Sequence, residues 1–396
     1  MGLTWVALGM VQLVVMLCVS PGSLVVDAAT EKIDAGGLIN LSNREQTWAP
    51  YMTLSAPFSE IESITSHFLF RTYDPEGLVF YGDSNDGKDW FVLSLRGGIP
   101  EMQFGKSTMM VTVSGGPKLN NGVWHKLELY SEGEFVVLKV DNKPELRVGM
   151  HQDNPGPSRE GFIRLALGGL LIDQKKLLIP INPLLDACIR DGHWLSLSTP
   201  WDITPKKKEM PCSPDIKPGS FFSGGGLVVF NTSAFAFDSL NEINITVLAS
   251  SDKWNGTILS MWSYHTNSRI VSVGEDAENE KLHCESKLGD ISMEDNFAKD
   301  FKRFQLTIGR TAITFESRLR PGLLGGSKKT TFYGIGQQWK EGILLAFGGL
   351  LGAGGAHNGS TYLEGCLDGI YIQGEKLDLD QAVFKDSSVS SHSCPV

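Results

Sequence analysis

The 396-residue chain is short of positive charge, with 35 lysines and arginines against 45 aspartates and glutamates and a formal net charge of −10. No basic face dominates, which excludes nucleic acid as the main partner. The longest basic run, Lys206-Lys207-Lys208, reads as a solvated loop ahead of a heparin or nucleic-acid patch. Long apolar runs are missing beyond the stretch from Trp5 to Val19, so no later segment spans a bilayer. Sustained helical periodicity is missing as well, which excludes a helical bundle. The chain also lacks a Gly-x-Ser-x-Gly elbow, a His-Glu-x-x-His zinc helix and a phosphate-binding Walker loop. Its eight histidines fall in no obvious catalytic spacing. An enzyme is therefore not expected, and neither is an organic cofactor.

What the chain does contain, it states twice. Leu165-Ala166-Leu167-Gly168-Gly169-Leu170 returns as Leu345-Ala346-Phe347-Gly348-Gly349-Leu350, 180 positions later. Each copy leads into a cysteine segment, Leu185-Asp186-Ala187-Cys188-Ile189 and then Leu363-Glu364-Gly365-Cys366-Leu367. A second cysteine closes each half, Cys212 after 24 residues and Cys394 after 28. A period this long is the size of a domain rather than a solenoid unit, so the chain reads as two copies of one fold.

Both copies read as strands. Gly77 to Gly82, Trp90 to Leu95, Lys126 to Tyr130 and Phe135 to Val140 are short, rich in β-branched or aromatic residues, and bounded by turns. The second half repeats the style at Gly256 to Trp262, Phe304 to Ile308 and Ala312 to Phe315. Forty-four glycines and 18 prolines supply the tight turns that an all-β sandwich needs. The seam falls near Cys212-Ser213-Pro214-Asp215-Ile216-Lys217-Pro218-Gly219, a proline-rich stretch right after the first closing cysteine. The polar segment from Met150 to Gly161 reads as a mobile insertion, with a lid as the other reading.

The apolar N-terminus suits a secretory signal, with small residues for cleavage at Cys18-Val19-Ser20 or Val26-Asp27-Ala28. Export makes disulfides natural, and the repeated spacing pairs Cys188 with Cys212 and Cys366 with Cys394. Cys284 is left over, as a buried small hydrophobe or an intermolecular bridge. Five sequons begin at Asn40, Asn231, Asn244, Asn255 and Asn358 and are candidate glycosylation sites.

The run Arg71-Thr72-Tyr73-Asp74-Pro75-Glu76-Gly77-Leu78-Val79-Phe80-Tyr81-Gly82, followed by Lys88-Asp89-Trp90-Phe91, resembles the laminin G-like family, and within it the steroid-carrying globulins. Gly122-Val123-Trp124-His125-Lys126, the Leu-Ala-Leu-Gly-Gly-Leu string and the late cysteines extend the resemblance, strongly from about Thr65 to Cys188 and weakly beyond. The resemblance implies two laminin G-like jelly-roll β-sandwich domains in tandem, at 45–212 and 219–394 after a signal at 1–28. It implies a secreted carrier of androgens and estrogens, with the ligand between the sheets of the first domain. It also implies a homodimer and a possible cell-surface receptor. The competing reading is a laminin G adhesion or glycan-binding protein that uses calcium and surface loops.

Position by position, the resemblance places Ser66 at one end of the steroid and Asp89 at the other. Where the family has an asparagine beside that aspartate, this chain has Lys106, free to donate to a steroid oxygen or to pair with Asp89. Phe91, Ser131 and Ile163 fall where the family lines the slot, Ser131 being polar where a larger apolar side chain is expected. Read alone, Ser66 is a strand or turn hydroxyl, Asp89 a solvated turn residue and Phe91 core. The family's calcium position implies Asp74, Glu76 and the Leu184 carbonyl as ligands, hard oxygens that suit the ion. Asp74-Pro75-Glu76-Gly77 also suits a type I turn with no ligand at all. No zinc site is expected.

Overall fold

Alternation of apolar and polar residues gives a strand such as His125–Glu132 one face to bury, and two such faces bury one another, whereas Gly77–Ser84 and Asp89–Arg96 are buried on both faces. The computed structural model describes residues 38–396 except 43–46, 62–63, 85–86, 107–108, 134, 150–160, 196–211, 236–241, 250–254, 277–280, 287–290, 293–302, 310–311, 321–322, 332–334 and 352–361. The expected signal, the lysine run, Asn358 and nearly all of the 150–161 segment lie outside the described residues.

Among the described residues the first half has twelve strands: β1 (Ile39–Asn40), β2 (Met52–Pro57), β3 (Ser66–Thr72), β4 (Gly77–Ser84), β5 (Asp89–Arg96) and β6 (Ile99–Lys106). They continue as β7 (Met109–Ser114), β8 (His125–Glu132), β9 (Phe135–Val140), β10 (Lys143–Gly149), β11 (Phe162–Leu167) and β12 (Ala187–His193). One sheet runs β1-β12-β3-β8-β9-β10 and the other β2-β11-β4-β5-β6-β7. Between them lies one apolar layer, with Phe68, Phe70, Leu127, Leu129 and Leu138 meeting Phe80, Phe91, Leu93, Met102 and Leu165. Phe135–Val140 is a strand over the span that its β-branched and aromatic residues predict. Among the described residues pairing begins at Ile39, opposite Ile189.

The second half has an eight-stranded and a seven-stranded sheet among the described residues. Phe304, Phe315, Phe347, Leu259 and Ile245 fill its core. One short helix, Ile335–Glu341, breaks the all-strand pattern and buries Trp339 completely. The expected seam is itself paired, Ile216–Pro218 forming a ribbon with Ser393–Pro395 at the C-terminus.

The repeated strings hold equivalent places. β11 carries the first and lies between β2 and β4; Leu344–Phe347 carries the second, between Val228–Asn231 and Gly256–Ser263. Each leaves its strand through a glycine in the left-handed region, Gly168 at φ 68° and Gly348 at φ 89°. The cysteine strands sit in the opposite sheets: β12 lies between β1 and β3, and Glu364–Ile372 lies between Ser220–Ser223 and Glu242–Ala249. Cys188 is bonded to Cys212 and Cys366 to Cys394, while Cys284 lies in the strand Lys281–Ser286. Replacing Cys188 and Cys212 together by serine is expected to lower the unfolding free energy by about 3 kcal/mol, read from denaturant titration, because the open loop regains its entropy when unfolded.

Candidate functional site

Strand alternation puts the predicted slot residues on the inner faces of the first sandwich. Ser66 opens β3 on the same face as Phe68 and Phe70, and is completely buried. Its hydroxyl accepts from the Leu195 N–H at 3.1 Å and donates to the Ile64 carbonyl at 3.2 Å. Leu195 reaches it from the end of β12 with a φ of 50°, an uncommon backbone for a leucine. Phe91 and Ile163, each 5% exposed, belong to the inter-sheet layer, and the Phe91 ring stacks on Phe80 at 6.2 Å. Phe91 is packed so closely over Gly82 that a Cβ there would collide with the ring.

Asp89 and Lys106 are direct partners in the β5–β6 ladder, and both are half-buried. Asp89 shares its face with Phe91, and Lys106 shares its face with Phe104 and Met102. Ser131 continues the Leu127 and Leu129 face of β8 and ends exposed at the strand tip. Phe104, Val111 and Val113 pack part-buried against the core, beside the exposed Met109 of edge strand β7. Ser66 and Ser131 thus lie on one sheet, and Asp89, Phe91, Lys106 and Ile163 on the other.

Asp74 is not gathered with its expected companions alone. It is buried, its Oδ1 accepting from the Glu76 N–H at 3.0 Å and its Oδ2 from the Asp186 N–H at 2.8 Å. The Glu76 carboxylate accepts from the Gly97 N–H at 2.7 Å, and the Leu184 carbonyl packs against Gly77. What faces Asp74 comes from the second sandwich. His392 Nε2 lies 3.4 Å from Asp74 Oδ1 and 3.1 Å from Asp380 Oδ2, and ligand atoms of all three residues lie within 4.8 Å of one another. Lys385 Nζ sits 2.6 Å from Asp380 Oδ1. Asp186 Oδ2 accepts from the Ser390 hydroxyl, from the His392 N–H at 3.0 Å and from the Ser393 N–H at 3.1 Å. Asp186, Asp380, Lys385, Ser390 and His392 escape sequence reasoning, because nothing local marks the C-terminal segment as returning to the first domain.

Burial pushes the Asp74 carboxyl up to about 8 against the opposing pull of His392. His392 is raised to about 9: burial opposes its charge, and Asp74 followed by Asp380 outweighs burial. Burial also works against the Asp380 carboxylate, but Lys385 and His392 hold it below the usual carboxylate range. Beside this cluster a cavity of about 130 Å³ opens between the halves, lined by Arg71, Asp186, Phe221 and the Cys188–Cys212 bridge. Arg71 donates to the carbonyls of Ser213 and Pro214 and stacks 4.6 Å over Trp124, which fixes the linker to the first sandwich.

Of the sequon asparagines, Asn40 is 6% exposed in β1 with its side-chain oxygen accepting from Ser42. Asn231 caps a short turn through Ser233, Asn244 accepts from Thr307 at 2.8 Å, and Asn255 bridges to Glu364.

A family profile described as Laminin G domain matches residues 70–198. Among solved structures, domains LG4-5 of the mouse laminin alpha1 chain superpose with a TM-score of 0.60 at 19% identity, covering 91% of this chain and 95% of that one. The chain is thus a tandem laminin G-domain protein. Its sequence is also 30% identical to the sex hormone-binding globulin of Oryctolagus cuniculus over 87% of this chain and 85% of that protein. The human sex hormone-binding globulin is 28% identical over 87% and 84%. The chain belongs to the sex hormone-binding globulin family.

Asp74 and His392 both hold a proton more tightly folded than unfolded. The His392 contribution is complete below its ordinary value of 6.5 and lost as pH rises through about 9; that of Asp74 fades between 3.8 and about 8. Asp380 acts oppositely, its contribution being lost in acid. The unfolding temperature is expected to fall between about pH 7 and 9.5, and an Asp74→Asn/His392→Gln double variant to be flat over that range.

Proposed function

We propose that this chain is a secreted, non-enzymatic carrier that holds androgens and estrogens in the inter-sheet slot of its first sandwich. The observation that carries the reading is the sidedness of the slot. Ser66 is the buried hydroxyl of one inner face, and Asp89 with Lys106 are the polar groups at a strand end of the other. A steroid is a rigid apolar plate with an oxygen at each end, and it asks for that arrangement. Burying roughly 400 Å² of apolar surface is worth on the order of 10 kcal/mol gross, of which association takes part. That the rabbit and human relatives are sex hormone-binding globulins supports the ligand class. No helix among the described residues is long and apolar enough to cross a membrane. Homodimerisation through first-domain strand edges, glycans on the sequons and a cell-surface receptor belong to the same reading.

Saturation binding of labelled testosterone and estradiol to the secreted protein is expected to be saturable and tight. Ser66→Ala is expected to weaken it by about tenfold, one hydrogen bond's worth. Absence of saturable binding to folded wild type would sink the carrier reading in favour of a laminin G adhesion module.

A structural calcium ion is the second element of the proposal. Asp74 and Asp380 offer hard carboxylate oxygens, whereas His392 offers a nitrogen that calcium does not favour. The ion would therefore have to displace the His392 imidazolium from between the carboxylates. A rise in unfolding temperature with millimolar calcium that EDTA reverses, and that Asp74→Asn abolishes, is the expected outcome; no shift at any calcium concentration would remove the ion from the reading.

A further inference from the structure

The first sandwich sets side by side two histidines that the sequence keeps far apart. β12 pairs with β3 in regular register from Ala187 to Arg190, then slips by one residue, so that His193 stands directly opposite His67. The slip is a β-bulge, and within it Asp191 takes a φ of 53°. Without it His67 would face Gly192, which has no side chain. His67 alternates with the buried Ser66 and Phe68 and so lies on the outer face of the sheet. There the two imidazoles stack, with centroids 4.7 Å apart and planes 18° apart. The row continues across the sheet, since Glu128 of β8 is the direct partner of His67 on its other side and Lys139 of β9 the direct partner of Glu128. The Glu128 carboxylate accepts from Lys139 Nζ at 3.0 Å and lies 3.8 Å from Lys126 Nζ.

Two imidazoles this close resist carrying charge together. Burial, then His193 and Lys126, hold the His67 imidazole below its ordinary value, against the opposite pull of Glu128. The neutral ring is the form that binds a metal ion. His193 Nδ1 is buried and has no hydrogen-bond partner, so stacking leaves this nitrogen unsatisfied. The nearly parallel planes do not yet aim at one point. Convergence on an ion takes a turn about χ2, a soft torsion for histidine, and costs His193 Nδ1 no hydrogen bond. Imidazole nitrogens suit zinc, copper and nickel, whereas calcium and magnesium prefer oxygen. The Glu128 carboxylate on the same row favours a cation over an anion at this place.

We propose that His67 and His193 form a binding site for an imidazole-seeking divalent ion such as Zn2+. The site lies on the outer face of the sheet, away from the inter-sheet slot, and at the other end of β3 from Asp74. No zinc site is expected from the sequence, because the pair exists only through the bulge. The inference does not depend on the carrier reading.

Calorimetric titration of the EDTA-stripped full-length protein with Zn2+ is the test, run beside His67→Gln, His193→Gln and His392→Gln, with thermal unfolding as the control for folding. Wild type is expected to take up Zn2+, His67→Gln and His193→Gln each to lose one equivalent, and His392→Gln to keep it. If either of the first two variants unfolds, the wild type is treated with diethyl pyrocarbonate and the modified histidines are mapped by mass spectrometry. Zn2+ is then expected to protect His67 and His193. No uptake by folded wild type, an equivalent kept by folded His67→Gln and His193→Gln, loss in His392→Gln alone, or no protection of the pair overturns the inference.

Discussion

A β-sheet with one apolar face has to cover it, and in this chain each sheet is covered by its partner. That constraint fixes nearly everything else. It forces the period of two along β3, β5, β6 and β8, and so decides that Ser66, Asp89 and Lys106 face inward with the aromatic layer. A slip of β5 by one residue would send Asp89 outward and bring Trp90 from the outer cluster into the inter-sheet layer. The functional reading therefore stands on the same alternation that makes the sandwich.

Once the two sandwiches exist, a second kind of bond joins them, polar rather than apolar. Asp186 lies on the segment leading into β12 and accepts from three groups of the C-terminal turn, while Asp74 and Asp380 hold His392 between them. Buried carboxylates at such a junction are costly unless their oxygens are met by donors, and here both oxygens of Asp74 and the Oδ2 of Asp186 have them. The result favours one relative arrangement of the halves over a loose apolar contact. It also places the expected calcium aspartate inside a junction, not on an open loop.

Much of the fold was legible because it is local. Alternation marks Lys126 to Tyr130 within β8, tight turns bound the strands, and the Leu-Ala-Leu-Gly-Gly-Leu string reports the same strand and the same left-handed glycine twice. The cysteine pairs were readable from their repeated spacing. The site was legible only as positions. Nothing near Ser66 says that its hydroxyl is already held by Leu195, a residue 129 positions away. Nothing near Asp74 announces His392, and Glu76 gives no sign that it will cap the Gly97 amide. Such contacts depend on how strands distant in sequence are stacked, which periodicity does not encode.

The junction has a temporal side. Ser390, His392 and Ser393 follow Asp186 by 204 to 207 positions, and Cys394 ties that segment to Cys366. Synthesis proceeds from the N-terminus, and domains generally fold as they emerge. The first sandwich is complete in sequence long before those residues exist, so it must pass through the nascent state with Asp74 and Asp186 uncapped by their final partners. Only when that segment has been made can the halves be joined through it. Docking of the two halves is therefore a late event of folding, since a chain that has not yet reached Ser390 can build both sheets of its first half and still lack these partners.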